Sequence, residues 1–263
     1  MLLHLQSALG IAAIIALAWA LSENRAAFPW RTVLAGLALQ IGVALLMLKV
    51  PVARDALFSL NGVVDALTAA TRAGTSFVFG YAGGGKTPFA VTDPTAMSSF
   101  AFQILPLVIV ISALAALLWH WRVLPLVVGG FAWALRKTMG IGGAVGLGSA
   151  ATIFLGMIEA PLLIRPYLAR MSRAELFMLF SVGLATVAGT VFVLYATILE
   201  PVIPGALGHI LVASVMSLPA AILIARIMIP GISETDAGAA PDFEYRSSMD
   251  AIARGTEDGL RLW

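Results

Sequence analysis

The sequence predicts an all-α, polytopic membrane protein with about five transmembrane helices, interfacial helices and one re-entrant helical hairpin. Of its 263 residues, 60% are hydrophobic and only 11% are charged. Soluble domains contain about 45–50% apolar and about 25% charged residues, so this chain has too few polar side chains to cover a water-soluble core. It also contains several apolar stretches close to the length that crosses a bilayer, about 20 residues.

Five apolar stretches qualify as membrane-spanning helices. They lie at 5–21, 33–48, 100–118, 176–199 and 202–225. The first looks like a signal peptide, but no positive charge precedes Ser22, so we expect it to be a retained helix. Segments 51–82 and 124–135 have features of interfacial helices, and we expect them to lie on the membrane surface.

The apolar segment 140–164 does not fit a simple span. It is rich in glycine, carries Glu159 and is interrupted by Pro161. A carboxylate inside a membrane segment costs about 2.5 kcal/mol or more unless it is solvated or paired, which makes Glu159 a functional candidate. We therefore predict a re-entrant hairpin over 138–171 that lines a polar pocket. The alternative is an ion pair between Glu159 and Arg165 that serves packing alone.

The distribution of basic residues predicts the orientation. With the N-terminus outside, twelve Lys and Arg residues face the cytoplasm and four face the outside, as the positive-inside rule requires. We expect scaffold and interfacial helices in 1–119 and the first half of a transport domain in 120–228. Residues 229–263 are expected to form a cytoplasmic loop and the start of a further helix.

Residues 80–87 match the phosphate-loop pattern G-x-x-x-x-G-K-T. A nucleotide site needs a buried strand before the glycines and a long helix after them, whereas Pro88 follows this motif directly. The predicted topology also places the loop outside the cell. We interpret it as a flexible glycine connector; a membrane-bound NTPase is the alternative, and it would require nucleotide binding that depends on Lys86.

The membrane segments contain no Ser/His/Asp set, metal-ligand spacing or paired carboxylates, and the chain has no cysteine. We therefore expect no catalytic residue, no metal site, no cofactor and no enzyme activity. The net charge of +2 is too small to indicate nucleic-acid binding. Thr186 and Thr190 share a helix face with Gly183 and Gly189, which favours helix packing over a second possibility, oxygen ligands for an ion or solute.

Residues 156–167 read Gly-Met-Ile-Glu-Ala-Pro-Leu-Leu-Ile-Arg-Pro-Tyr and resemble the first re-entrant hairpin of the concentrative nucleoside transporter family. Segments 102–106, 171–191 and 250–262 resemble other parts of that family in the same order. The resemblance implies a homotrimer in the lipid bilayer that moves nucleosides inward with Na⁺ or H⁺. It also implies a location in the plasma (inner) membrane of a bacterium.

The resemblance implies two sets of site residues: Gly156, Met157, Ile158 and Glu159 for substrate binding, and Thr152, Leu155 and Thr186 for cation binding. Glu159 matches the glutamate that accepts hydrogen bonds from the nucleoside. Met157 and Ile158 replace the polar Gln and Thr/Ser that face the base, so base recognition is expected to be looser, water-mediated or directed at another solute. Thr152 stands where many members have Asn, which leaves both Na⁺ and H⁺ coupling open.

The family continues for a further helix, a second hairpin and two final helices beyond the length of this chain. Those elements supply the other face of the family's site. Two interpretations follow from the sequence: the chain is a fragment, or a separate chain supplies the C-terminal half. The leading function is a nucleoside:cation symporter. The alternatives are a non-transporting membrane protein whose hairpin serves assembly or signalling, and a transporter of another small polar solute.

Overall fold

A computed structural model describes residues 2–50, 66–92, 99–155, 160, 163–200, 202–231, 235 and 245–262. Regular structure in these ranges is helical throughout, which confirms the all-α prediction. The helices are α1 (Leu2–Ala20), α2 (Trp30–Lys49), α3 (66–79), α4 (Leu105–His120), α5 (Val123–Met139), α6 (Gly143–Leu155), α7 (Arg165–Leu168), α8 (Arg173–Ala185), α9 (Gly189–Leu199), α10 (Ala206–Met228) and α11 (Ser248–Leu262). A 3₁₀ turn, Gly80–Gly83, follows α3, and a π turn, Phe100–Ile104, leads into α4.

Three helical segments in the described ranges are long and apolar enough to cross a membrane: Trp30–Met47, Phe100–His120 and Ala206–Met228. Two shorter apolar helices, Gln6–Ala20 and Gly143–Leu155, accompany them. Helix α1 exposes large apolar side chains along its length, including Leu9 at 63% and Leu17 at 60%. Apolar surface of this extent is unfavourable in water and suits contact with lipid.

The predicted single span over 176–199 is wrong. The chain forms two helices there, α8 and α9, and the backbone of Thr186 and Ala188 between them is extended. Helix α8 also begins earlier than predicted because Ser172 and Glu175 form a capping box, in which each side chain accepts a hydrogen bond from the other residue's N–H. The interruption leaves the carbonyl groups in the last turn of α8 without their usual helical partners.

The chain divides into two compact units. Unit 1 contains Met1–Leu45, Val127–Val187 and Ser214–Pro241, and unit 2 contains Leu46–Leu126, Ala188–Ala213 and Asp242–Trp263. The interruption between α8 and α9 is thus also the point at which the chain passes from unit 1 to unit 2. These units combine segments that are distant in sequence, whereas the predicted division at 119 and 228 follows chain order and stays a prediction about function.

One end of unit 1 collects the termini of several helices. The Glu23 N–H, after α1, donates to the carbonyl of Met228 at the end of α10, at 2.9 Å. The Glu23 carboxylate pairs with the Arg173 guanidinium at the start of α8, at 2.6 Å. Arg226 of α10 donates to the carbonyl of Gly140, just after α5, at 3.2 Å. These contacts bring segments that were all predicted to be cytoplasmic to one end of the unit.

In unit 2, helix α11 packs closely along α4 through two glycines. A Cβ atom added at Gly255 would lie 2.7 Å from the carbonyl oxygen of Ser112, and one added at Gly259 would lie 2.6 Å from the Cα of Ile109. Both distances are shorter than real Cβ contacts, so only glycine fits. Gly255 and Gly259 form a G-x-x-x-G pattern, which in membrane proteins allows two helix backbones to approach.

Residues 80–85 of the glycine motif form a hydrogen-bonded cap at the end of α3, and the flexibility predicted for this connector stays a prediction. The Gly84 and Gly85 N–H groups donate back to carbonyls at 80 and 81. Thr75 Oγ1 donates to the Gly83 carbonyl at 2.9 Å, and Gln103 Nε2 donates to the Ala82 carbonyl at 3.1 Å. A phosphate loop needs free amides after a strand. Here a helix precedes the motif and these two amides are engaged, which argues against a nucleotide site.

One of the two predicted interfacial segments lies wholly within the described residues and the other only in part. Of 51–82, residues 51–65 lie outside the described ranges, and the remainder forms α3 and the 3₁₀ turn. Segment 124–135 lies within α5, which is helical as expected. Near the end of α5, the Lys137 ammonium lies 5.0 Å from the centre of the Trp133 ring. An amphipathic cation–aromatic pair of this kind suits a membrane–water interface.

Candidate cation and substrate site

The structure describes one of the two predicted sets of site residues. Gly156, Met157, Ile158 and Glu159 lie outside the described residues, so their substrate-binding role stays a prediction. Thr152 and Leu155 lie on α6, and Thr186 directly follows α8. All three belong to unit 1. Thr152 is buried at 1% exposure, while Leu155 and Thr186 are half-buried.

Helices α6 and α8 begin at the same end of unit 1 and run in the same direction. Ala144 and Glu175, in their first turns, both hydrogen-bond to Thr235. One turn further along, a Cβ atom at Gly148 would lie 2.7 Å from Leu179 Cδ1. The members of each pair are 31 positions apart in the sequence, so the two helices advance in register.

The same register brings Leu155 and Thr186 to the same height along the two helices. They too are 31 positions apart, and at 1.5 Å per residue each lies about 16 Å beyond the Thr235 end of the pair. Thr152 lies one turn before Leu155 on α6. Continued along the pair, this register predicts similar heights for the three residues, near the far ends of α6 and α8, and their cation-binding role stays a prediction.

Both threonine hydroxyls donate to a carbonyl of the preceding helical turn, three residues back for Thr152 and four for Thr186. Thr152 Oγ1 donates to the Ser149 carbonyl at 2.6 Å, and Thr186 Oγ1 donates to the Val182 carbonyl at 2.9 Å. Each hydroxyl hydrogen is thus directed at its own helix, and the oxygen's remaining electron pairs are what it offers to a ligand. Oxygen atoms presented in this way suit a hard cation or a water molecule.

The backbone adds partial negative charge at the same height. Helix α8 ends at Ala185, so the carbonyls of Gly183, Leu184 and Ala185 have no following helical N–H, whereas the Val182 carbonyl still accepts from the Thr186 N–H. The macrodipole places negative potential at a helix C-terminus. Helix α6, described to Leu155, runs parallel to α8. Interrupted helices whose C-terminal ends meet at membrane depth are the way in which many transporters coordinate a coupling cation.

Two models of known families match the chain. The one described as "Na+ dependent nucleoside transporter N-terminus" matches residues 9–82, and the one described as "Nucleoside recognition" matches residues 101–202. The chain belongs to the concentrative nucleoside transporter family. The predicted hairpin, the interrupted helix and the predicted cation-binding residues all fall within the second match.

Relatives of this transporter family align with nearly the whole chain. A nucleoside permease of Helicobacter pylori is 33% identical over 97% of the chain, and an uncharacterized transporter of Haemophilus influenzae is 34% identical over 98%. A solved structure, CNTnw in an inward-facing substrate-bound state, superposes with a TM-score of 0.83 at 32% identity over 98% of the chain. The chain spans about 60% of the length of each of these three proteins.

Ser149 is a polar residue in this family's hairpin region that the sequence reasoning missed. Its side chain has 0% exposure, and its Oγ has no hydrogen-bond partner within the described part of the structure. It precedes Thr152 by three positions, so the two residues neighbour each other on α6. A lone serine between alanine and glycine carries no sequence signal, which is why only the structure singles it out.

A mainly apolar cleft of unit 1 lies elsewhere. It has a volume of about 410 Å³ and is lined mainly by apolar side chains, with the Glu23–Arg173 ion pair at its polar side. Its other lining residues are Leu21, Leu176, Phe177, Met228 and Ile229. These residues surround the starting end of α8, whereas Thr186 follows the opposite end, so the cleft is separate from the predicted cation-binding residues.

Proposed function

We propose that this chain forms the N-terminal portion of an inward nucleoside:cation symporter and contributes its first re-entrant hairpin and cation-binding residues. The observation that supports the proposal is the register of α6 and α8, from which we infer that Leu155 lies at the height of Thr186, where α8 is interrupted. Such an arrangement concentrates carbonyl and hydroxyl oxygens at membrane depth. Such a concentration of oxygens fits the binding of a small cation.

Two contacts of Thr235, one of them a hydrogen bond, support the re-entrant course of the proposed hairpin. Thr235 accepts from the Ala144 N–H at 3.0 Å, and its hydroxyl lies 3.4 Å from the carbonyl of Arg170. The segment from 144 to 170 therefore starts and returns beside a single residue. A segment with both ends at one side of the membrane fits a re-entrant hairpin and does not fit a single crossing.

Nucleosides are the proposed substrate class, with Glu159 as the principal acceptor of substrate hydrogen bonds. The names of relatives support this choice: besides the bacterial permease, a rat protein 34% identical over 96% of the chain is a sodium/nucleoside cotransporter. The chain covers 37% of that relative. A homotrimeric assembly, a separate chain that completes the site, and an inner-membrane location with the N-terminus outside belong to the same proposal.

Replacement of Thr186 or Thr152 by valine tests the cation site. Valine keeps the shape of threonine and removes the oxygen, so the half-saturating cation concentration for uptake should rise about tenfold, equivalent to about 1.4 kcal/mol. Uridine uptake into proteoliposomes that contain the full-length protein would be measured against Na⁺ concentration and, separately, against external pH. The half-saturating concentration should rise for the ion that drives uptake, Na⁺ or H⁺, and not for the other.

Thr138→Val is the matched control. Its hydroxyl donates to the Ala134 carbonyl at 2.7 Å, one helical turn back, as the two site threonines also donate to their own helices. It lies on α5 and is exposed. If Thr186→Val and Thr152→Val behave like Thr138→Val at equal protein content, these residues do not bind the cation and the proposed site is wrong.

A further inference from the structure

Thr235 joins two helices that begin at the same end of unit 1. Its carbonyl accepts a hydrogen bond from the Ala144 N–H in the first turn of α6, at 3.0 Å. Its own N–H and hydroxyl donate to the Glu175 carboxylate of α8, at 2.9 and 2.8 Å. A residue that follows α10 therefore connects the first turns of α6 and α8 directly.

The Glu175 carboxylate needs this connection because it is buried and must accept hydrogen bonds. It is 1% exposed and also accepts a hydrogen bond from the Ser172 N–H at 2.8 Å. A buried carboxylate is costly unless its oxygens are hydrogen-bonded, and bonds to a charged acceptor are stronger than neutral ones. The Thr235 hydroxyl has one hydrogen, and the Glu175 oxygen is nearer to it than the Arg170 carbonyl at 3.4 Å.

A change in the contacts of Thr235 at the first turns of α6 and α8 should also move the far ends of the two helices, where Leu155 and Thr186 lie. Helix α6 and helix α8 are stiff rods, so a shift at their first turns is carried along their length. A slip of one residue changes the relative height of Leu155 and Thr186 by about 1.5 Å. Oxygen ligands of hard metal cations lie within a narrow range of distances, for example about 2.3–2.6 Å for Ca²⁺. A displacement of about 1.5 Å would therefore remove a ligand from such a site.

We propose that Thr235 is a positioning residue that sets the register of α6 against α8 and thereby holds the cation-binding oxygens at one height. The proposal rests on the cation site proposed above. It assigns to the segment after α10 a role in the site that neither the motifs nor the family matches indicate, since both matches end before residue 235.

The structural half of the test is hydrogen–deuterium exchange on the full-length protein in detergent. Thr235→Val removes the hydroxyl bond to Glu175 and leaves the two backbone bonds of residue 235. Residue 235 is then held less firmly against α8, so the Ala144 amide, whose acceptor is the carbonyl of residue 235, should exchange at least tenfold faster. Thr235→Ser, which retains the hydroxyl, should restore slow exchange. Thr256→Val is the matched control: its hydroxyl donates to the Ile252 carbonyl of its own helix, at 2.8 Å, in unit 2. It should leave α6 unchanged.

The functional half is the cation dependence of uridine uptake in proteoliposomes. Thr235→Val should raise the half-saturating concentration of Na⁺ or H⁺ at least fivefold while uptake at saturating cation stays within about twofold. Thr235→Ser should return the value to that of the unmodified protein. A residue that only stabilises the fold would instead lower the amount of active protein and leave the half-saturating concentration unchanged.

Three outcomes would overturn the proposal: unchanged exchange in Thr235→Val, faster exchange without a change in cation dependence, or the same change in Thr256→Val. If Thr235→Val does not fold, Thr235→Ala is measured in its place and must meet the same criteria. Failure of the symporter proposal is recognised separately, because the unmodified protein would then show no cation-driven uridine uptake. In that case Thr235 has no cation site to position, and the present proposal falls as well, whatever the exchange rates show.

Discussion

At the scale of single residues, the hydroxyl groups on α6 differ in what they can offer a ligand. Thr152 gives its hydrogen to the Ser149 carbonyl, whereas the Ser149 hydroxyl is fully buried and has no partner among the residues described. A buried hydroxyl without a partner costs free energy, which a water molecule or a ligand would recover. We therefore expect the hydroxyl oxygens of both Ser149 and Thr152 to be available to a ligand bound beside α6.

Glu159 carries the strongest prediction about substrate. A hydrogen bond to a charged group contributes about 1.5–3 kcal/mol, so Glu159→Gln should weaken nucleoside binding about ten- to a hundredfold. Binding of uridine to the purified full-length protein measures this directly, with thermal unfolding recorded in parallel. If Glu159 serves only as a packing partner for Arg165, the melting temperature should fall while binding per folded molecule stays the same.

Met157 and Ile158 test whether this part of the hairpin faces the base. Met157→Gln combined with Ile158→Thr restores the polar pair usual in the family, and new hydrogen bonds to base edges should sharpen discrimination among nucleosides. The affinities for uridine, cytidine and adenosine would be compared before and after the change. Equal ratios for all three would mean that these side chains do not contact the base.

At the scale of elements, the interruption between α8 and α9 is what supports the proposed cation site. A continuous helix would use every carbonyl in the segment for its own hydrogen bonds. The extended backbone at Thr186 and Ala188 ends that series and leaves carbonyls for a ligand. No proline marks the position, so the hydropathy pattern alone predicts one unbroken helix.

The packing of α11 on α4 gives a prediction at the same scale. Gly255→Ala places a methyl group against the α4 backbone, where nothing can move aside, and should lower the free energy of unfolding by about 1–3 kcal/mol. Gly129→Ala on α5 is the control, because no atom lies within 4 Å of its added Cβ, and it should be neutral or stabilise by up to about 1 kcal/mol. Thermal unfolding in detergent compares the two. Equal melting temperatures would show that the helices separate without cost.

At the scale of the whole molecule, charge distribution predicts orientation. Reporters fused after Arg25 or Lys137 should signal from the cytoplasm, and one fused after Gly84 should signal from outside, because basic residues are retained on the cytoplasmic side. The contacts of Glu23 with Met228 and Arg173 support part of this scheme, since they join segments assigned to one side. Reversed reporter signals would overturn the orientation while leaving those contacts intact.

The sequence by itself determined the membrane class, the all-α fold, most helix positions and the family, because each depends on local composition or a contiguous motif. The sequence also contains the local patterns of the capping box of Ser172 with Glu175 and of the G-x-x-x-G pair at Gly255 and Gly259. Both follow rules that need only a few neighbouring residues.

Only the tertiary structure decided the register of α6 and α8, the engaged amides of the glycine cap and the connection through Thr235. Each depends on groups far apart in the chain: Thr235 is 60 positions from Glu175, and Gln103 is 21 positions from Ala82. The free energy of such contacts comes from packing and hydrogen bonds between helices, and no local pattern encodes which helices will meet. The relative height inferred for Leu155 and Thr186 therefore depends on the assembled unit and not on either segment alone.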